Sequence, residues 1–280
     1  MRLKNLFFLL LFISVSLTEA SDIILDEESS TYFVVTDRSL HEFSFINTIS
    51  EISGLIVKKD NEEFLSITIP SYGSDSDPGD AELPVLQKLI RVPYGANVSI
   101  QILNKEERII NLSDFGYNID IFPDQPSIMK SEDPEDVPFY YNHQYYSANT
   151  FFENELIGIE HLGKMRGNQL SRLSISPISY NPTKNELKIV TKLEVKVIFK
   201  DIDVVNDIRL REKYYSPEFE TLFKNCVNYT PVSKKDVITT YPVKYVIISD
   251  PMFQSILQPF IEWKTKKGFT VVEGLSLIHI

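Results

Sequence analysis

The sequence predicts an all-β, antiparallel β-sandwich over residues 21–223, a linker at 224–242 and the start of a parallel α/β domain at 243–274. Three observations predict it. Apolar residues recur with a period of two along the first of these spans, which is the signature of half-buried strands. Clusters of Gly, Pro, Asn and Asp separate the short runs at intervals typical of sandwiches and barrels. Beyond residue 243 the pattern changes to strand, helix, strand, the repeating unit of a parallel sheet.

The strands follow in order. Leu65, Ile67 and Ile69 alternate with Ser66 and Thr68, and residues 86–92 form a second apolar run. Val98, Ile100 and Ile102 alternate with Ser99 and Gln101, and residues 108–112 are read as a separate short strand. The clearest case is Leu193, Val195, Val197 and Phe199, which face one way, with Glu194, Lys196 and Lys200 facing the other. Its expected partner is the stretch 169–180, joined to it through the turn-rich connector 181–185. No segment in this span carries a sustained helical stripe. Two loops interrupt the pattern. Residues 70–84 are acidic and rich in Gly and Ser; residues 122–146 carry Pro123, Pro126, Pro134 and Pro138 and then a run of tyrosines. In the last domain, Tyr245 to Asp250 reads as a buried strand. Phe253, Ile256, Leu257, Phe260 and Ile261 then have helical spacing, Lys264, Lys266 and Lys267 suit the helix C-terminus, and Gly268 stops it. One such unit cannot bury both faces of a sheet, so most of this domain is expected beyond residue 280. Residues 275–280 carry no turn, charge or cap signal and match an in-frame sequencing adapter, so native sequence is expected to end near Gly274.

At the start, Arg2 and Lys4 precede an apolar run at 6–15 that is too short to span a bilayer, and Thr18-Glu19-Ala20 has the small-x-small form of a cleavage site. Residues 1–20 are therefore expected to be a signal peptide cleaved after Ala20. Its removal leaves 26 basic against 38 acidic residues, a net charge of −12. That field repels phosphate backbones and anionic membranes, so neither nucleic acid nor, after signal removal, a membrane is an expected partner. The single cysteine, Cys226, cannot form an intramolecular disulfide, so the core alone must stabilise this exported chain. The absence of paired cysteines suggests a bacterial protein.

No constellation assembles an active site. Asp75, Asp77, Asp80 and Glu82 could suggest calcium, but Leu86 stands where an EF-hand needs its bidentate Glu, and Pro78 interrupts the loop. His41, His143 and His161 lack metal-ligand spacing. Cys226 lies in the expected linker, away from rigid elements that could hold a base beside it. The aromatic run of Phe139, Tyr140, Tyr141, Tyr145 and Tyr146 reads as loop packing on the sandwich. It also motivates an alternative, a non-catalytic exported adhesin or carbohydrate-binding module with a stacking face.

Three segments resemble the gingipain family of secreted bacterial cysteine endopeptidases at their N-terminal propeptide. Gly79-Asp80-Ala81-Glu82-Leu83-Pro84 and the strand after it are similar to the family's Gly-x-x-x-Leu-Pro segment. Arg166-Gly167 followed by Pro177-Ile178-Ser179-Tyr180-Asn181-Pro182 resembles its Pro-x-x-Tyr-Asn-Pro hairpin. Tyr229-Thr230-Pro231-Val232 looks like the start of a mature catalytic chain, and Phe260-Ile261-Glu262-Trp263-Lys264 with Gly268 looks like its first helix. The likeness spans nearly all of the chain after the leader.

The resemblance implies a zymogen. A β-sandwich propeptide would assist folding and mask a caspase-like α/β domain, whose His-Cys dyad cleaves after Arg or Lys. It implies secretion or cell-surface display through the periplasm of a Gram-negative bacterium, with the secretion machinery and the chain's own catalytic domain as partners. No cofactor is implied for this stretch; calcium would belong only to the catalytic domain beyond it. The dyad is absent from these residues, and Asn228 rather than Arg precedes Tyr229, which departs from the family's self-cleavage pattern. Lys130 is the expected cleft-blocking residue, because it is the single Lys or Arg between Phe122 and Tyr146. Lys224, Asn228, Lys234 and Lys235, with Arg209 and Arg211, are the candidate processing positions beside Ala20.

Overall fold

The structure, a computed structural model, describes residues 21–59, 61–131, 137–231 and 244–276. The leader, Ala20, Lys234, Lys235 and residues 277–280 lie outside the described residues. The chain divides into two compact units between Val232 and Ser233. No described helix is long and apolar enough to cross a membrane.

The first unit is built from β1 (Ser21–Ile24), β2 (Tyr32–Arg38), β3 (Glu42–Thr48), β4 (Glu51–Lys59), β5 (Glu62–Thr68), β6 (Gly73–Ser74), β7 (Pro84–Val92), β8 (Asn97–Asn111), β9 (Ile157–Met165), β10 (Asn168–Ile175), β11 (Ile178–Asn181) and β12 (Glu186–Lys200). These form three antiparallel sheets: β1-β4-β5, β6-β7-β10-β9, and β11-β12-β3-β2 with β8 on the far edge of β12. Two cores result. In one, Leu86 and Ile90 of β7 and Leu173 and Ile175 of β10 meet Phe43, Phe45, Val195 and Val197 from the facing sheet. In the other, Ile52 and Leu65 meet Ile178, Tyr180, Leu187 and Ile189.

β12 serves both cores through a bulge. Its pairing with β8 slips between Val190 and Lys192, leaving Thr191 as an extra residue. An inserted residue reverses the strand's parity. Leu187 and Ile189 thus face one core, while Val190, Leu193, Val195, Val197 and Phe199 face the other.

The expected alternation at 65–69 and 193–199 is observed, and the apolar run at 86–92 forms a strand, β7, with three corrections. The stretch 169–180 is not one partner strand for β12. It breaks at Pro177, which cannot donate to a ladder; β10 joins β7 and β9, and only β11 pairs with β12. Residues 98–102 and 108–112 are not separate strands, because β8 runs unbroken along β12 and ends at Asn111. Helices are also present: α1 (His143–Tyr146), α2 (Val204–Lys213) and α3 (Pro217–Phe223). α2 escapes periodicity analysis because its buried residues are Asp207 and Arg211, while Val205 is 77% exposed.

The second unit holds β13 (Lys244–Ser249), α4 (Gln254–Lys266) and β14 (Thr270–Leu275). β13 and β14 pair in parallel, as the sequence predicts, and Leu275 lies opposite Ser249. Asp250 caps the turn into the helix through the Met252 N–H at 2.9 Å. Tyr245 packs edge-on against Phe260 and Phe269.

Candidate functional site

Two regions of the first unit carry residues singled out by sequence. The first is the proline-rich loop after Phe122. Its stem is knitted to the acidic loop 70–84 by backbone bonds: Gly79 N–H to Asp124 O at 2.8 Å, Asp124 N–H to Asp80 O at 2.7 Å, and Asn142 N–H to Gly79 O at 2.9 Å. Gln125 closes the neck. Its amide donates to the Tyr140 carbonyl at 2.9 Å and accepts the Tyr140 N–H at 3.0 Å, so one side chain clamps both limbs. Phe139 packs on Phe64 and Phe122 just inside this clamp. Beyond it, Ser127, Ile128, Met129, Lys130 and Ser131 are exposed, Met129 by 70%. The structure thus places Lys130 at a solvent-facing position on a loop whose base is fixed.

The tyrosine run anchors this loop rather than offering a stacking face. Tyr145 and Tyr146 are buried. Tyr146 donates to the Ile121 carbonyl at 2.7 Å, Tyr141 donates to Asp120 at 2.7 Å, and the Tyr141 and Tyr146 rings stack at 4.3 Å. Burial raises the Tyr145 and Tyr146 phenols above their ordinary range; burial and then the Asp120 bond raise Tyr141. Of the five rings in the run only Tyr140 is exposed, which leaves no stacking face, and the carbohydrate-binding alternative has no support.

Asp75, Asp77 and Asp80 line an open cavity of about 510 Å³ together with Glu153 and Glu155. No group of three ligating side chains able to hold a metal ion occurs among the described residues. His41, His143 and His161 are all exposed.

The second region surrounds the expected processing positions. The sequence reads a linker from residue 224, but residues 224–231 belong to the first unit, and Cys226 and Asn228 are only 2% and 7% exposed. Burial pushes the Cys226 thiol up to about 11, which makes it inert as a nucleophile. Lys224 is exposed but caps α3, its N–H bonded to Glu220 O at 3.0 Å. Arg209 is exposed and holds Asn206 at 3.0 Å. Arg211 is buried and donates to the Thr230 carbonyl; burial, then the nearby Arg91 cation, lower its pKa. Sequence reasoning missed the centre of this region. There Arg91 pairs with Asp207, which is 1% exposed and also accepts the Tyr94 N–H at 2.8 Å. Arg91 also donates to Asn168 at 3.0 Å.

Comparison with known proteins agrees with this architecture. The profile of the Propeptide_C25 family matches residues 36–208. Lys-gingipain of Porphyromonas gingivalis is 33% identical over 267 residues, 93% of this chain; the chain spans 15% of that relative's length. Gingipain R1 of Porphyromonas gingivalis is 22% identical over 236 residues, 79% of this chain and 23% of that protein. A solved structure concerned with the zymogenic latency of gingipain K from Porphyromonas gingivalis superposes with a TM-score of 0.62 at 33% identity, over 65% of this chain and 99% of that one. The complex of Porphyromonas gingivalis RgpB pro- and mature domains shares the fold at a TM-score of 0.56 and 17% identity, over 71% of this chain and 98% of that one. The matched profile covers more than half of this chain, and the chain belongs to the gingipain propeptide family, Propeptide_C25.

Proposed function

We propose that the first unit keeps a gingipain-like cysteine endopeptidase latent and assists its folding during export, and that the precursor leaves a Gram-negative cell behind a leader cleaved after Ala20. A cysteine nucleophile unmasked before export would attack periplasmic proteins. The observation that carries the reading is the clamped loop, with its exposed Lys130. Gln125 and Tyr140 fix the two limbs of the neck before binding, so that part of the ordering cost is already met and more of the contact energy appears as affinity. Lys130 would enter the specificity pocket of an Arg/Lys-selective cleft and pair there with a carboxylate, since two buried charges are tolerable only as a pair.

The test is inhibition of the completed catalytic domain supplied in trans. The parent chain is expected to inhibit, and Lys130→Ala to weaken inhibition by at least about tenfold, or about 1.4 kcal/mol. Equal inhibition by both removes Lys130 from the role and leaves it to the sandwich surface. No inhibition by the parent overturns the latency reading.

A further inference from the structure

β7 has two edges. One pairs with β10 from Leu86 to Val92. The other meets β6 only at Pro84 and Val85. Farther along that second edge the chain's own residues 227 and 228 are docked. Val227 N–H donates to the Leu89 carbonyl at 2.9 Å. The Asn228 carboxamide accepts the Arg91 N–H at 2.8 Å and donates to the Arg91 carbonyl at 2.7 Å. The side chain thus stands in for a peptide group and completes the ladder, as an added strand does in edge recognition. An aspartate here could accept but not donate, and an alanine could do neither.

The flanks are held as well. Tyr229 donates to Glu220 at 2.5 Å, and its N–H bonds the Cys226 carbonyl at 2.9 Å, which makes the segment a turn. Arg211, beside the buried Arg91–Asp207 pair, takes the Thr230 carbonyl. The Asn228–Tyr229 bond therefore sits inside a turn whose flanking groups are bonded to the sandwich. An endopeptidase needs its substrate accessible and extended, so cleavage here requires local opening.

We propose that this edge of β7, with Arg211 and Glu220 beside it, is a binding site for the chain's own residues 227–230. Its occupation withholds the bonds on either side of Tyr229 from endopeptidases. The precursor is then cut downstream of Thr230, and the segment stays with the sandwich. At the position where the family pattern has an arginine, Asn228 acts as a latch instead of a cleavage residue. The proposal requires only that some endopeptidase meets the chain, so it stands or falls independently of the latency reading.

Limited digestion of the full chain with chymotrypsin tests it, using a synthetic peptide of residues 225–236 as the undocked reference. Cleavage after Tyr229 is expected to be at least about a hundredfold slower in the chain than in the peptide, and Asn228→Ala to accelerate it at least tenfold while cleavage after the exposed Tyr140 keeps its rate. Cleavage after Tyr229 at the peptide's rate, or an unchanged rate in Asn228→Ala, overturns the proposal. If that variant does not fold, hydrogen exchange of the parent chain decides. Protected Arg91 and Val227 amides support docking, and exchange at the unstructured rate refutes it. N-terminal sequencing of the mature enzyme gives a further arm: a start beyond Thr230 supports the latch and a start at Tyr229 overturns it.

Discussion

Replacing Gly167 by alanine probes the seat of α2, and with it the support of the docked segment. Arg166 and Gly167 join β9 to β10 as a two-residue turn, with φ of 44° and 75° and Met165 opposite Asn168. Both central residues in the left-handed region define the turn that matches strand twist, and glycine adopts it without strain. A Cβ on Gly167 would lie 2.6 Å from the Leu210 carbonyl oxygen and 2.8 Å from its carbonyl carbon, both backbone atoms of α2. The neighbouring Arg166 guanidinium lies 4.1 Å from the centroid of the Phe219 ring on α3, a second contact between this turn and the helices. The backbone term costs about 1 kcal/mol. Displacing a packed helix adds about 1–3 kcal/mol, so Gly167→Ala should lose about 2–4 kcal/mol. Gly116 supplies the control: its φ is 88°, but a Cβ there meets open space, so only the backbone term applies. Urea unfolding of the full chain, followed by the β-type far-UV signal, measures both. If Gly167→Ala is no more destabilising than Gly116→Ala, α2 does not rest on this turn and the packing argument fails.

Alkaline pH should also destabilise the first unit. Burial raises Cys226 from 9.0 to about 11 and Tyr72 from 10.0 to about 12, the latter despite its bond to Asn47. The folded state holds these protons longer than the unfolded chain does. Their contribution is therefore intact below pH 9 and is lost as pH rises through 9–11 for the thiol and 10–12 for the phenol, about 2–3 kcal/mol each at the upper end. A melting temperature that stays level from pH 8 to 11 would contradict this. At the loop neck, Gln125→Ala should speed Lys-specific cleavage at Lys130 severalfold and change global stability by less than about 1 kcal/mol, because Gln125 bonds only local backbone. A global loss as large as that of a core mutant would show that the clamp supports the sandwich rather than the loop.

The parts of the fold legible in sequence are those where one face of a strand is buried and the other is wet. Residues 193–199 read correctly because Leu193, Val195, Val197 and Phe199 point into a single core. The split between β10 and β11 was not legible, because the choice of sheet depends on what each half packs against; Pro177 was the one local hint. α2 inverts the usual rule by burying an ion-pairing face and exposing Val205 and Ile208. Its ends were the available signal. Asp203 accepts the Asn206 N–H at 3.1 Å as an N-cap, and Arg211 and Lys213 occupy the last turn.

The candidate sites divide in the same way. Lys130 stands out locally as the single Lys or Arg in a proline-rich loop, and it is exposed as such a residue should be. The neck that fixes it depends on Gln125, a residue with no distinctive pattern around it. The docked segment lies still further from sequence reasoning. Asn228 and Arg91 are 137 residues apart, and Arg91 and Asp207 are 116 apart. A lone asparagine beside a tyrosine carries no local signal of docking; only the edge of β7 beyond β6 gives its carboxamide two partners. The sequence could show that an arginine was missing before Tyr229. What Asn228 does in its place follows from a strand nearly half the chain away, and that distance makes access to this bond a property of the folded precursor rather than of the residues flanking it.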